Sequence, residues 1–185
     1  MAYSSHCFWV VSVALLLQFL APPASALPYR SSRYIDKLCQ MSSIYDKTFC
    51  LHTLTGYHAA VYAGDSVTLA EFVVTDLLVP QLRRAVRYAL LLTSRKEPPS
   101  LKAQFVRSHL YLRNIGYGLG RAFFELRVSP RMANHDVLIC TDLITKVMYM
   151  LGRNQDVASK TLIEMIMKLK KLFPLGIAAT QALAE

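Results

Sequence analysis

Residues 100–126 read SLKAQFVRSHLYLRNIGYGLGRAFFEL, and the architecture follows from this run. Leu101, Phe105, Leu112, Ile115, Leu119, Phe123 and Leu126 return to one side of a 3.6-residue helix, while Lys102, Arg107, Arg113, Arg121 and the following Arg127 fall on the other. A stripe of this kind needs apolar partners, and three further runs supply them. Upstream, Asp65 reads as the N-cap of a helix carrying Val74, Leu77, Leu78, Leu82, Ala85, Ala89 and Leu92, with Arg83, Arg84 and Arg87 outward. Pro80 should kink that helix by removing a backbone bond, and Lys96-Glu97-Pro98-Pro99 ends it. Ser100 then reads as the cap of the next.

Downstream, Ser129-Pro130 reads as an N-cap followed by proline at the first helical position, where it is favoured. Met132, Ile139, Leu143, Val147 and Met150 give the third helix its apolar face, and Gly152 stops it. A fourth helix runs from Ala158 through Leu162, Met165, Leu169 and Leu172, with Pro174 and Gly176 expected to interrupt it before a tail, LGIAATQALAE. No run of alternating β-branched residues competes. The expected fold is therefore all-α: an antiparallel up-down-up-down four-helix bundle over 65–173, with 174–185 as a C-terminal tail.

The front of the chain speaks to compartment. FWVVSVALLLQFL, residues 8–20, has the length of a secretory hydrophobic region and is too short to span a bilayer as a helix. Pro22-Pro23 follow, then Ala24-Ser25-Ala26 with small residues at the positions signal peptidase accepts, although the preceding MAYSSHC has no Lys or Arg. The expectation is a signal peptide over 1–26, cleaved between Ala26 and Leu27, and a secreted, extracellular product with no membrane segment in its mature form. The formal charge of +9 then belongs to the mature protein. It favours polyanionic surroundings or an acidic partner surface, with acidic polysaccharide a better candidate than nucleic acid.

An exported chain favours disulfides, which bears on CQMSSIYDKTFC, residues 39–50. A zinc site would need two more Cys or His at short spacing, and a redox pair would be C-x-x-C. Cys39 and Cys50 are thus expected to form a structural disulfide, whose loop restricts the unfolded chain by roughly 3 kcal/mol in the entropy model. Ser42, Ser43 and Asp46 between them are turn or cap formers, so residues 27–64 read as a basic lead-in and a small helical hairpin, with turns near Gly56 and Gly64-Asp65. Cys7 would leave with the signal peptide, making Cys140 the unpaired cysteine.

Nothing in the sequence assembles an active site, and no catalytic residue, cofactor or metal is assigned. GYGLG, residues 116–120, lacks the preceding strand of a dinucleotide fingerprint and sits inside a helical pattern. There, glycine permits close helix approach or is tolerated at about 1 kcal/mol. His52, His58, His109 and His135 are too far apart to share a helical zinc site, and Asp136 and Asp142 do not share a helix face. No G-x-S-x-G elbow is present. Lys168, Lys170 and Lys171 beside Met165, Ile166, Met167, Leu169 and Leu172 read as the solvated face of the fourth helix rather than a membrane-binding surface.

These elements together resemble the plant invertase and pectin methylesterase inhibitor family. The resemblance runs from about Tyr34 to Phe173 and rests most on Ile35-x-x-x-Cys39 and Phe49-Cys50-Leu51 with Leu38 and Leu54. It implies a stapled hairpin ahead of a four-helix bundle, and a non-catalytic inhibitor that docks over the cleft of a pectin methylesterase or an acid invertase in the plant cell wall. An alternative is a family member without inhibitory activity, held on anionic pectin by its basic faces. Arg131, Asn134 and Asp136 are the residues the resemblance offers as partner contacts. The family's second disulfide would place a partner for Cys140 near Ser108, where this chain has no cysteine. The stretch before Cys140, RMANHDVLIC, is also altered, and Pro130-Arg131-Met132 is similar in character to the Pro-Lys-Phe of invertase inhibitors, though closer to the cysteine.

Overall fold

The computed structural model describes residues 29–185, with side-chain surroundings from Arg33 onward. The expected signal peptide and its Ala26–Leu27 cleavage site lie outside the described residues.

The first helix, α1 (Tyr29–Cys39), takes in what reads as a lead-in. A turn bonded from Ile44 N–H to Met41 O brings the chain back, and Asp46 caps α2 (Lys47–Thr55) by accepting from Phe49 N–H at 2.8 Å. Cys39 and Cys50 are disulfide-bonded, with Cα atoms 5.7 Å apart, so the staple joins the end of α1 to the first turn of α2. Ile35, Leu38, Cys50 and Leu54 are buried around it. After the single turn of α3 (His58–Val61), Asp65 caps α4 (Ser66–Phe72) through Thr68 N–H at 2.7 Å, as its position suggests.

The helix that follows from α4 runs to residue 93, but its middle is not α-helical. Val73–Leu78 form a π segment, and α5 (Val79–Thr93) continues from it. The cause is Pro80. Proline has no N–H to give the carbonyl four residues back, and its ring presses on that carbonyl. Widening the preceding turns re-routes the bonding, and Val79 N–H reaches back five residues to Val74 O. Val74, Leu77, Leu78, Leu82, Ala85, Ala89 and Leu92 all remain buried through the transition.

The second bundle helix, α6 (Pro99–Glu125), begins one residue before Ser100. Pro98 occupies the cap position and Pro99 the first turn, so the expected Ser100 cap is not used. Helix α7 (Pro130–Leu151) follows a short link with Ser129 at its N-cap position, although the serine side chain makes no capping bond. Gly152 ends it as expected. The turn after α7 is tied to α6 by Asn154, whose side-chain amide donates to Gln104 Oε1 at 2.7 Å and to Ser159 Oγ at 3.1 Å.

Helix α8 (Val157–Ala184), capped by Asp156, corrects the expected interruption at Pro174. It passes through the proline without stopping. A proline inside a helix costs about 3 kcal/mol, yet Phe173, Leu175, Ala178 and Ala179 are all buried beyond Leu169. A fully buried Leu or Phe contributes about 1.5–3 kcal/mol, so packing of the last turns offsets the proline. Gly176 makes that packing close: a Cβ there would come within 2.8 Å of Leu78 Cδ1 and 3.5 Å of Val137 Cγ1. Residues 174–185 are therefore part of the bundle rather than a tail.

The long helix 66–93 packs on α6, α6 on α7, α7 on α8, and α8 closes back on the first, giving an all-helical bundle. Cross-contacts run in opposite chain directions, as Leu82 with Gly116 and Val86 with His109 show for the first pair. The stapled hairpin lies against α8, where Lys171 Nζ sits 4.2 Å from the centroid of the Phe49 ring. That lysine, read as part of a solvated face, partly fastens the hairpin instead.

Candidate functional site

The α6–α7 seam holds the chemistry the sequence singled out. The apolar face of α7 is rotated from the expected one: Ala133, Val137, Cys140, Ile144, Val147 and Leu151 are buried, whereas Met132 and Ile139 are exposed. At the middle of the seam Cys140 lies directly on Gly118. A Cβ built at Gly118 would stand 2.6 Å from the sulfur, so glycine is what admits the thiol. The thiol points at Ile115 O, 3.6 Å away. Burial pushes the Cys140 thiol up to about 12, the nearby Asp136 carboxylate adds to the rise, and the Arg121 guanidinium opposes it. Cys140 is thus a packed thiol, inaccessible to an intermolecular disulfide. Ser108, the position that the family's second bridge would use, is ten residues from Gly118, or about 15 Å along the helix. It is itself fully buried.

One turn before Cys140, Asp136 is buried and accepts from Arg121 Nη2 at 2.6 Å, while its second oxygen has no protein partner. This corrects Asp136 as a partner contact: its carboxylate is committed inside the protein. Arg121 and Arg127 lie on the solvated side as the spacing predicts, yet each also reaches a carboxylate. Arg127 bonds Glu71 at 2.8 Å through Nε and ties the α6–α7 link to α4. Neither pairing is visible from helical spacing, because each carboxylate comes from another helix.

Of the other two expected contacts, Arg131 is exposed on the first turn of α7, and Asn134 is half-buried with an unpartnered Oδ1. Near Arg131 along the chain stand three exposed apolar residues: Phe124 and Val128, which the periodic pattern leaves unassigned, and Met132, which it places on the buried face. Phe124 is 77% exposed, Val128 86% and Met132 50%. They occupy the last turn of α6, the link and the first turn of α7, so the Pro130-Arg131-Met132 stretch belongs to an exposed apolar corner that carries Arg131. Large apolar residues left outside the stripe of 100–126 were the available signal.

The histidines remain separate. His109 approaches Val86 O at 3.4 Å, His58 stacks near Tyr62, and His52 and His135 are exposed. Among the described residues no group of three or more His, Cys, Asp or Glu side chains could hold a metal ion, and no helix is long and apolar enough to cross a membrane. No protein-family model matches the sequence, and no curated protein is significantly similar to it.

Proposed function

We propose that this chain is a secreted, non-catalytic inhibitor of a plant cell-wall carbohydrate-active enzyme, a pectin methylesterase or an acid invertase, acting in the apoplast. It docks over the active-site cleft of its target and blocks access to it. The observation that carries the reading is the exposed corner of Phe124, Val128, Arg131 and Met132. A bundle end that exposes an aromatic side chain and an arginine among apolar neighbours supports an interaction surface. The Cys39–Cys50 staple on a hairpin ahead of a helical bundle agrees with the family resemblance in Leu38–Leu54.

Purified protein in micromolar excess is expected to inhibit one of these two enzyme classes, and Phe124→Ala with Arg131→Ala to weaken inhibition at least about tenfold, or about 1.4 kcal/mol. Absence of inhibition across a panel of both classes refutes the proposal. Salt-sensitive retention on polygalacturonate without any inhibition would replace it with the alternative of a non-inhibitory, pectin-held protein.

A further inference from the structure

A second feature, on another side of α6, is independent of the inhibitory reading. Between α5 and α6 the surface opens into a groove of about 560 Å³, within the range of ligand sites. Its floor is apolar, built from Val79, Leu82 and Leu112, with Gly116 and Gly120 leaving the α6 backbone bare. Its rims carry Arg83 and Arg87 from α5, and Arg113 and Tyr117 from α6.

The two glycines are not explained by packing within the molecule. A Cβ at Gly116 would meet only Leu82 Cδ2 at an ordinary 3.6 Å, and one at Gly120 would meet nothing within 4 Å. Each glycine nevertheless weakens the helix interior by about 0.5–1 kcal/mol relative to alanine. Gly118 between them differs, because Cys140 occupies its space. What Gly116 and Gly120 provide is close approach to the groove floor from outside.

The groove arginines are likewise without a carboxylate partner among the described residues. Ion pairs among the described residues use Arg121 and Arg127, and no acidic residue lines the groove. Arg113 donates to Tyr117 Oη at 2.7 Å and retains further donors. The polar lining therefore offers donors to carboxylates, while the floor offers apolar contact and no acceptor. A polyuronate presents hydroxyls that need acceptors too. An amphipathic helix with a Leu or Ala ridge flanked by Asp and Glu matches both surfaces. A second copy of this chain, at +9, is a poor electrostatic match, and residues 1–28 contain no Asp or Glu to fill the site.

We propose that the α5–α6 groove is a docking site for an acidic amphipathic helix of a partner protein, seated on Gly116 and Gly120 and held by Arg83, Arg87 and Arg113. The test is fluorescence anisotropy of a labelled designed helix, with a Leu/Ala ridge flanked by Glu at i, i+4, titrated with the full chain. A scrambled peptide of equal composition and an oligogalacturonate are the comparison probes. Saturable binding of the designed helix alone is expected. Gly116→Ala/Gly120→Leu, and separately Arg83→Gln/Arg87→Gln/Arg113→Gln, should each weaken it at least about tenfold while the thermal melt stays cooperative. Arg84→Gln/Arg95→Gln/Lys102→Gln, equal in charge change but outside the groove, should weaken it by less than about threefold. No binding, equal binding of the scrambled peptide, equal loss in the off-groove variant, or stronger binding of the oligogalacturonate would overturn the proposal.

Discussion

Gly118→Ala probes the α6–α7 seam more directly than any other single change. The new Cβ would sit 2.6 Å from Cys140 Sγ, so the two helices must part by close to an ångström to restore ordinary contact, which begins near 3.4 Å. Both residues are buried. Overpacking of this kind costs about 1–3 kcal/mol. Alanine returns about 1 kcal/mol of helix propensity, so the net loss expected is about 0–2 kcal/mol. Cys140→Ala alone removes one heavy atom and should cost about 1 kcal/mol, as single-methylene deletions do. In that background Gly118→Ala meets no sulfur, fills the vacated space and should stabilise by about 1 kcal/mol. The coupling between the two positions is then about 1–3 kcal/mol, above the roughly 0.5 kcal/mol scatter of independent sites. Urea melts of the four proteins, with the disulfide intact and slopes compared, measure it. Gly120→Ala is the control, since its Cβ enters open space, and should stabilise by about 0.5–1 kcal/mol. Additive effects at 118 and 140, or a stabilising Gly118→Ala in the native background, would refute the packing argument.

Three further outcomes follow from the same structure. Cys140 should resist a thiol reagent at neutral pH in the folded protein and react fully in denaturant, because burial holds its pKa at about 12; rapid native labelling would contradict its placement. Replacing both Cys39 and Cys50 by alanine should lower stability by about 2–4 kcal/mol while the far-ultraviolet helical signal of the bundle persists, since the staple closes a short loop outside the four long helices. The pH dependence should follow the capping aspartates. Asp65 is lowered from its ordinary value by the Thr68 N–H and hydroxyl. Burial pushes Asp156 up, but the Ser159 N–H and hydroxyl and nearby amides lower it overall. A depressed folded pKa gives stability that is present above the unfolded value near 4 and lost as pH falls through the folded value. Asp65→Ala and Asp156→Ala should therefore each cost about 1 kcal/mol at neutral pH and progressively less in acid, measured by urea melts across the acid range. A cost independent of pH would exclude the ionised cap as its source.

The helices themselves were legible because their signals are local. The apolar spacing of 74–92 and 105–126, the caps at Asp46 and Asp65, and the stop at Gly152 depend on residues within a few positions of one another, whereas the Asp156 cap emerged only in the structure. Asp46 and Ser129 were readable as turn or start signals, but only the first makes its side-chain bond, since capping also needs the backbone to present the amide. The candidate site was less legible. Arg131 is exposed as a contact must be, but Asp136 is turned inward to Arg121, and Phe124 and Val128 stand out only once the core has been filled without them.

By itself the sequence determined an all-helical chain with a stapled front, because a 3.6-residue period and a short-range cysteine pair need no knowledge of the rest of the molecule. Only the tertiary structure decided which face of α7 goes inside, since Met132 and Ile139 compete with Ala133, Val137 and Cys140 for the core and the bare backbone at Gly118 selects the second set. It also decided that Pro174 would be tolerated, and that Pro80 would be absorbed by a π segment rather than a break. Each outcome balances a local cost of a few kcal/mol against apolar area supplied by another helix, and that area exists only after the helices have met.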